Sequence, residues 1–424
     1  MTSKDNYHAN KNPYYFIDQA RKSLLRHGYV ELLESDANWD QSIDRFFVVR
    51  MNRSIIAVKK HNTEKAIIVA THNDSPCLKL KPNTKLSRFG YSQVRVAPYG
   101  KIYNHAWYDR ELRYIGQIVT KNNDDPDKFD NHIFITGAAT TIIPSLASHL
   151  GGNSTSFNAE LHIPAIDNLK VPLSKVNGNQ SGQFMRDLAS LSGCNEEDII
   201  DWDISLIPSE PSRKVGTSKE MTSGYAMDIL SSAIPALSSF IQTKKPLHGM
   251  KVLAVFDGSQ IESNTRYGAK SDFLKTVLTR IGADETTWAN SVLLNLRNYS
   301  ANNPNTQKDE DESNLYDMQP CNGVYIQSND RSCTDLNLTA MLTFLAKSEN
   351  IPVKTFQSCF SFRPSIAQDI QTQINIQSAI AGIPIIGLGS PRELVFNEDV
   401  TAMMNFVNAF YEKIGKMEVT EAET

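Results

Sequence analysis

The chain has 424 residues, of which 40% are hydrophobic and 21% are charged. This composition is typical of a globular protein with a large core and excludes disordered and fibrous classes. The formal net charge of −4 provides no basis for binding nucleic acid or an anionic membrane surface, and no apolar run approaches the ~20 residues that span a bilayer. The polar N-terminus and the five cysteines, which lack CxxC spacing, predict a cytoplasmic protein without a disulfide framework.

The first 86 residues begin a pattern of helices and buried strands. A segment of helical periodicity at 15–27 is followed by Gly28, a residue type that favours helix C-termini. Two apolar, β-branched runs at 54–58 and 66–70 come next. Because these runs do not alternate with polar residues, we expect strands that are buried on both faces of a sheet.

The middle of the chain differs from this pattern. Short apolar runs, separated by polar turns, predict strands at 94–98, 115–119, 132–136 and 161–166. The polar stretch 122–128 is typical of a hairpin tip, and 208–219 is typical of a linker that returns to the first domain. We interpret residues 87–215 as an inserted, β-rich domain.

The last part, residues 216–424, returns to alternating strands and helices. Apolar runs predict strands at 251–256, 291–296, 323–326 and 384–388, and amphipathic patterns predict helices at 227–241, 272–281, 334–346 and 399–413. The acidic, amide-rich stretch 302–320 predicts a surface loop. Together with residues 1–86, this part predicts a three-layer α/β domain with a mostly parallel central sheet.

In such sheets, ligand-binding and active sites lie at the carboxyl ends of the strands. The strand at 66–70 leads to His72 and Asp74, and a His-x-Asp pair suits a metal ligand with an orienting carboxylate. The strand at 251–256 leads to Asp257, Ser259 and Glu262. Taken singly, each segment also fits an ordinary polar turn, so local patterns leave the choice between site and turn open.

Several motifs, in the right order, resemble the aspartyl aminopeptidase family of dinuclear-zinc metallopeptidases. THNDSPCL at 71–78 is similar to the family's AHTDSPCL, and WYDREL at 107–112 is similar to its WFDRDL. DISLIP at 203–208 resembles the end of the family's inserted dimerisation domain. The resemblance therefore implies a zinc-peptidase-like domain, residues 1–86 and 216–424, split by a β-rich dimerisation domain at 87–215.

The family binds two zinc ions through two histidines, a bridging aspartate and two further carboxylates, and a glutamate serves as general base. The resemblance places His72 on the first histidine ligand, Asp228 on the bridging aspartate and Asp74 on the acid that orients the site. These three positions keep residue types that suit their roles in the family.

The other positions of the family's site carry different residues. Ser259 replaces the general base, Gln260 the adjacent ligand, Arg297 the next carboxylate and Gly389 the second histidine. A guanidinium about 4 Å from a zinc ion costs on the order of 8 kcal/mol at an effective dielectric of about 20. The resemblance thus implies that the base and three of five zinc ligands are lost and that no cofactor is bound.

Two main functions follow from these substitutions. The first is a catalytically inactive family member kept for assembly or binding, as a homo-oligomeric dimer or larger closed particle, alone or mixed with an active relative. The alternative is an active aminopeptidase that removes acidic N-terminal residues from peptides, using one zinc with His72, Asp228 and either Asp257 or Glu262. In the first of these functions, Arg297 pairs either with Asp228 or with the carboxylate of a bound peptide. A third possibility is that the pocket senses a small anionic ligand, which Arg297 and Arg363 would bind.

Overall fold

A computed structural model describes residues 12–88, 90–102, 104–136, 140–145, 170–175, 183–305, 318–328, 333–357 and 365–417. The chain forms two compact units. The first takes its residues from Met1–Asp74, Ser212–Leu388 and Arg392–Thr424, and the second from Ser75–Pro211 and Gly389–Pro391. The predicted boundaries of the inserted domain, at 87 and 215, stay a prediction. In the described residues, no helix is long and apolar enough to cross a membrane.

The helices begin and end at residues with the expected capping chemistry. In the first, the side chain of Asn12 accepts a hydrogen bond from the backbone of Tyr14, and Gly28 follows the helix in the left-handed conformation. The described helices are α1 (Pro13–Arg26), α2 (Gln183–Ser192), α3 (Met227–Leu230), α4 (Ala233–Gln242), α5 (Phe273–Thr279), α6 (Glu285–Ala289), α7 (Leu336–Ser348), α8 (Ile366–Gln371) and α9 (Asn397–Lys413).

The strands of the described residues form two large sheets and two small ones. In chain order they are β1 (Val30–Glu31), β2 (Arg45–Arg50), β3 (Ser54–Lys60), β4 (Ala66–His72), β5 (Cys77–Arg88), β6 (Tyr91–Tyr99), β7 (Glu111–Lys121), β8 (Phe129–Ile135), β9 (Thr141–Ile142), β10 (Lys170–Lys175), β11 (Ile199–Pro208), β12 (Arg213–Val215), β13 (Met221–Gly224), β14 (Met250–Phe256), β15 (Val292–Leu296), β16 (Tyr299–Ser300), β17 (Val324–Gln327), β18 (Val353–Phe356), β19 (Gln377–Gly382), β20 (Pro384–Ile385) and β21 (Glu393–Phe396).

The first unit has the predicted α/β fold. Its nine-stranded sheet has the order β1-β2-β3-β14-β4-β15-β19-β17-β18 and is mostly parallel. Successive side chains of β4 point to opposite faces of the sheet. Ile67 and Val69 therefore belong to one core cluster, and Ile68 and Ala70 belong to the other. Helices α1, α4, α7 and α9 pack on the first face and α5, α6 and α8 on the second. This confirms the predicted α/β architecture with a central sheet between two helical layers.

The second unit contains a seven-stranded sheet of antiparallel pairs. Its order is β10-β6-β5-β11-β7-β8, and β9 pairs with β7. The predicted hairpin tip at 122–128 lies between β7 and β8. Gly116 lies where a Cβ would come within 2.1 Å of the Asp203 carbonyl oxygen, so only glycine permits this close pairing of β7 and β11. The predicted strand at 161–166 lies outside the described residues.

Two predicted elements are wrong in their bounds. The helix predicted at 227–241 is two helices, α3 and α4. Pro235 has no N–H to donate to the carbonyl of Ser231, and its ring would clash with that carbonyl in a continuous helix. The strand predicted at 384–388 is only the short β20, and the central sheet instead uses β19. The apolar run at 380–388 extends over both β19 and β20. Of the two, β19 pairs with β15 and β17 and so belongs to the central sheet.

Candidate functional site

Three neighbouring parallel strands bring the candidate residues to one edge of the nine-stranded sheet. His72 is the last residue of β4 and pairs with Phe256, the last residue of β14. On the other side of β4, Ala70 pairs with Asn295 of β15, so Arg297 follows at the level of His72. Adjacent strands lie about 4.8 Å apart. The register therefore sets the imidazole and the guanidinium on neighbouring strand ends.

Asp74 controls the loop after β14. Its buried carboxylate accepts hydrogen bonds from the backbone N–H groups of Ser259, at 3.1 Å, and Gln260, at 2.9 Å. These two residues start a short 3-10 turn that follows Gly258, which has a positive φ of 89°. A carboxylate that accepts two amide hydrogen bonds fixes the turn firmly. Asp74, which the sequence predicts to be the orienting acid, thus holds the backbone of Ser259 and Gln260 in place.

Asp257 forms a buried ion pair with Arg53. Its side chain is fully buried and accepts a hydrogen bond from Nε of Arg53. The Arg53 guanidinium lies over the ring of Tyr267, 4.3 Å from its centroid. Removing one partner of a buried ion pair leaves an uncompensated charge, so Asp257 is poorly suited to move towards a metal. Sequence patterns gave no signal for Arg53, because its partner lies on a distant strand.

Glu262, the other acid considered for a rearranged site, is exposed. It follows the 3-10 turn in the left-handed conformation, with a φ of 63°. The structure therefore does not bring Glu262 together with His72 and Asp228.

His72 and Asp228 are the two candidate ligands that the structure brings together. His72 Nε2 lies 3.6 Å from Asp228 Oδ2, and both side chains are largely buried. The Asp228 Oδ1 atom is buried and has no hydrogen-bond partner among the described residues. The pair is thus close enough for a strong electrostatic interaction and leaves one carboxylate oxygen available for a ligand.

Two residues hold the backbone around Asp228 in place. The carboxylate of Glu393 accepts a hydrogen bond from the Asp228 N–H at 2.8 Å, and Asn298 Nδ2 donates to the Asp228 carbonyl at 2.7 Å. Ala226, just before α3, takes the left-handed conformation with a φ of 60°. These contacts join α3 to the ends of β15 and β21. Asn298 is a positioning residue that sequence reasoning missed, since nothing in its local pattern marks it.

The charges around His72 act in opposite directions on its pKa. Burial is the largest influence and lowers the pKa, but the hydrogen bond and charge of Asp228, together with the charge of Asp74, raise it above the ordinary value. The Arg297 guanidinium opposes this rise. The site therefore holds a positive charge on Arg297 beside an imidazole that favours its protonated form.

Gly389 lies in the second unit and has a φ of +79°, with open space around the position of a Cβ. The segment 362–364, including Arg363, lies outside the described residues.

Comparison with known proteins supplies the family. The chain matches the family described as Aminopeptidase I zinc metalloprotease (M18) over residues 7–411. This chain is an M18 family member. The M18 protein is 26% identical to the aspartyl aminopeptidase of Caenorhabditis elegans over 441 residues, which cover 95% of this chain and 92% of the relative.

Solved structures show the same fold. The M18 chain superposes on a chain of the cryo-EM structure of the Ape4 and Nbr1 complex with a TM-score of 0.87 and 23% identity, covering 98% of this chain and 86% of that one. The S. cerevisiae mApe1 dodecamer gives a TM-score of 0.81 at 22% identity, with 96% and 94% of the chains covered. The fold of the M18 protein is therefore that of the zinc-peptidase-like aminopeptidases.

The candidate donors that the structure describes around His72 and Asp228 do not fit a dinuclear zinc centre. In the part of the chain that the structure describes, no group of three or more His, Cys, Asp or Glu side chains is arranged to hold a metal ion. Two zinc ions about 3.5–4 Å apart require several carboxylates to offset their charge. His72 and Asp228 provide two donors, whereas Gln260 and Arg297 provide an amide and a cation at the other strand ends.

Proposed function

We propose that this M18 protein is an aspartyl-aminopeptidase-like protein without peptidase activity, kept in the cytoplasm for oligomeric assembly or peptide binding. The observation that carries the proposal is the donor set, in which His72 and Asp228 have no third metal-binding side chain beside them among the described residues. Loss of a general base alone removes about 10²–10⁴ in rate. Ser259 at that position is a poor substitute, because a hydroxyl is not a base near neutral pH.

The position of Arg297 supports the same proposal. Its strand register places it level with His72, and its charge acts on that imidazole. Since a guanidinium does not deprotonate in proteins, it disfavours any cation bound beside it. The same charge would favour an anion, such as the carboxylate of a peptide.

Assembly is supported by the family. The structural relative from S. cerevisiae is a dodecamer, and the present chain covers nearly all of that fold. We infer a homo-oligomer, either of this chain alone or mixed with an active relative. Binding of nucleic acid is disfavoured by the net charge of −4.

One observation favours an active enzyme with a single metal ion. Two ligands of one tetrahedral zinc, with bonds of about 2.0–2.2 Å, lie roughly 3.3–3.5 Å apart. The separation of 3.6 Å between His72 Nε2 and Asp228 Oδ2 is close to this distance, and Asp228 Oδ1 accepts no hydrogen bond from any residue that the structure describes. In this alternative the protein would bind one zinc ion and remove acidic N-terminal residues from peptides.

Metal analysis and an activity assay decide between these functions. The chain, purified from a zinc-replete medium, is analysed by mass spectrometry of its metal content and incubated with aspartyl and glutamyl peptides. We expect substoichiometric zinc and no hydrolysis. Stoichiometric zinc together with hydrolysis that is lost in His72→Ala would refute the proposal.

A restoration experiment tests the assignment of positions. The variant with Ser259→Glu, Gln260→Glu, Arg297→Asp and Gly389→His should bind zinc, because it restores the family's donors and removes the cation. The histidine at 389 must take a φ near +79°, which costs roughly 1–2 kcal/mol, so circular dichroism must first show a folded protein. A folded variant that binds no zinc would contradict the proposed positions.

A further inference from the structure

A cavity of about 1010 Å³ lies at the opposite edge of the nine-stranded sheet from the candidate site. It is lined by the first residues of β4, β15 and β19, namely Ala66, Val292 and Gln377, together with the end of α9. His72 is at the other end of β4, and a seven-residue strand is about 20 Å long. The cavity is therefore separate from the site at the carboxyl ends of the strands.

The cavity concentrates positive charge in a chain that is negative overall. Five lysines line it, against the two carboxylates Glu64 and Glu412, whereas the whole chain has a net charge of −4. The lining lysines are Lys65, Lys244, Lys245, Lys251 and Lys416. Lysines gathered in a concave surface produce a positive field that attracts anions.

Three of these lysines have structural partners. Lys65 Nζ donates to the Gly415 carbonyl at 2.6 Å, Lys245 Nζ pairs with Asp44 at 2.5 Å, and Lys251 Nζ pairs with Glu412 at 2.9 Å. The ammonium groups of Lys244 and Lys416, by contrast, are exposed and have no hydrogen bond or ion pair within the described part of the chain. Burial and the like charge of Lys416 lower the pKa of Lys251, while Glu412 opposes this effect. The positive charge in the cavity is thus not balanced by the fold.

Apolar side chains lie on the same surface as the two unpaired lysines. Leu247 lines the cavity and is 77% exposed. Met341 of α7 also lines it, and Phe344, three residues further along the same helix face, is 65% exposed. Exposed apolar side chains that lie together beside polar groups are common in surfaces that bind a partner.

We propose that this cavity docks a peptide segment of a partner protein that carries both acidic and apolar side chains. The acidic side chains pair with Lys244 and Lys416, and the apolar ones cover Leu247 and Phe344. The concave shape favours a peptide over a lipid bilayer, because a flat membrane surface does not enter a recess. This function is independent of the proposed loss of peptidase activity.

Fluorescence anisotropy with labelled synthetic peptides tests this docking site. The main probe is a short N-acetylated peptide of glutamate alternating with leucine and phenylalanine. Two matched peptides replace either all glutamates by glutamine or all apolar residues by serine. We expect the acidic, apolar peptide to bind more tightly than both, and its affinity to fall as the salt concentration rises. Acetylation removes the free N-terminus, so binding does not report on the peptidase-like site.

The double variant Lys244→Glu with Lys416→Glu should weaken this binding about tenfold or more, since each attractive pair becomes repulsive. The control is Lys121→Glu with Lys214→Glu, two exposed lysines outside the cavity with the same total change of charge. The control should bind like the unchanged protein. Absence of binding, equal binding of the glutamine peptide, or equal loss in the control would overturn the proposal. Binding only to phosphatidylserine vesicles would replace it with a membrane-binding surface.

Discussion

The charges at the end of β4 are the main residue-scale feature of this M18 protein. His72 is largely buried between the carboxylate of Asp228 and the charges of Asp74 and Arg297. Because protonated imidazole is stabilised by a carboxylate, the pair holds a proton at a pH where free histidine begins to lose it. In a zinc peptidase, a metal ion would compete for the same nitrogen.

The titration of His72 can be measured directly. In NMR spectra, its pKa should lie above the ordinary value of 6.5 and should fall in Asp228→Asn, because the variant loses the hydrogen-bonded negative charge. A raised folded-state pKa stabilises the fold below the ordinary pKa, and this contribution is lost as the pH rises through the folded pKa. The control Glu262→Gln removes one exposed carboxylate and should not shift the titration. An unchanged pKa in Asp228→Asn would contradict this account.

Asp74 has a structural role that a measurement of stability tests. Asp74→Ala should lower the free energy of unfolding by about 1–3 kcal/mol, because the amides of Ser259 and Gln260 lose a buried acceptor. Urea denaturation gives the difference. The exposed Asp127→Ala is the matched control and should change stability by less than about 0.5 kcal/mol. Equal stability of the two variants would show that Asp74 does not hold the turn.

At the scale of single elements, Lys59 provides hydrogen bonds to carbonyl groups at the C-terminal end of helix α4. Helix α4 ends at Gln242, and the buried Lys59 of β3 donates to the carbonyl oxygens of Phe240, at 2.9 Å, and Thr243, at 2.5 Å. The last carbonyls of a helix have no partners within the helix, and a cation is favoured there. Lys59 therefore attaches α4 to the sheet.

Removal of Lys59 should change how stability depends on pH. Burial lowers the pKa of Lys59 to about 8 from its ordinary 10.5, with the like charge of Lys251 acting in the same direction. A folded-state pKa below the unfolded one means that the unfolded chain binds more protons between these values, so stability rises with pH across this window. We expect the unfolding free energy of the unchanged protein, relative to Lys59→Met, to rise by up to about 3 kcal/mol from pH 8 to 10.5. The exposed Lys121→Met is the control, and a flat difference would contradict the prediction.

At the scale of the whole molecule, the chain has two units with separate sheets, one mostly parallel and one antiparallel. The α/β unit carries the residues brought together around His72, and the second unit contains no candidate ligand except the position of Gly389. The residues around His72 thus belong to one unit, which has its own sheet.

Sedimentation velocity tests the assembly. We expect particles whose mass is a multiple of 47.4 kDa. We expect the same particles from His72→Ala, because this side chain is largely buried and offers little surface to a second subunit. A monomer at all concentrations would contradict the homo-oligomer. Loss of assembly in His72→Ala alone would show that the site and the interface are coupled.

Sequence patterns predicted the strands of the central sheet best where the apolar run was bounded by polar residues. The run at 66–70 is the core of β4, and 251–256 is nearly all of β14. The patterns were wrong where one apolar run served two elements, as at β19 and β20, since only pairing with neighbouring strands separates them. The candidate residues His72, Asp74 and Asp228 were found by motif order, whereas Arg53, Asn298 and the role of Glu393 were not, because their partners are remote in the chain.

The sequence by itself determined the family and the fold class. It also predicts that Ser259, Gln260, Arg297 and Gly389 stand at positions of the family's site, and this assignment stays a prediction. The order of the motifs along the chain is sufficient for such assignments, because they need only the identity of each residue and its place in the sequence. Only the tertiary structure decided that Asp74 holds the backbone of Ser259 and Gln260. It also decided that Asp257 pairs with Arg53 and that five lysines line the cavity at the opposite edge of the sheet. These facts depend on strand register and burial, which bring distant residues together and set the energy of each charge.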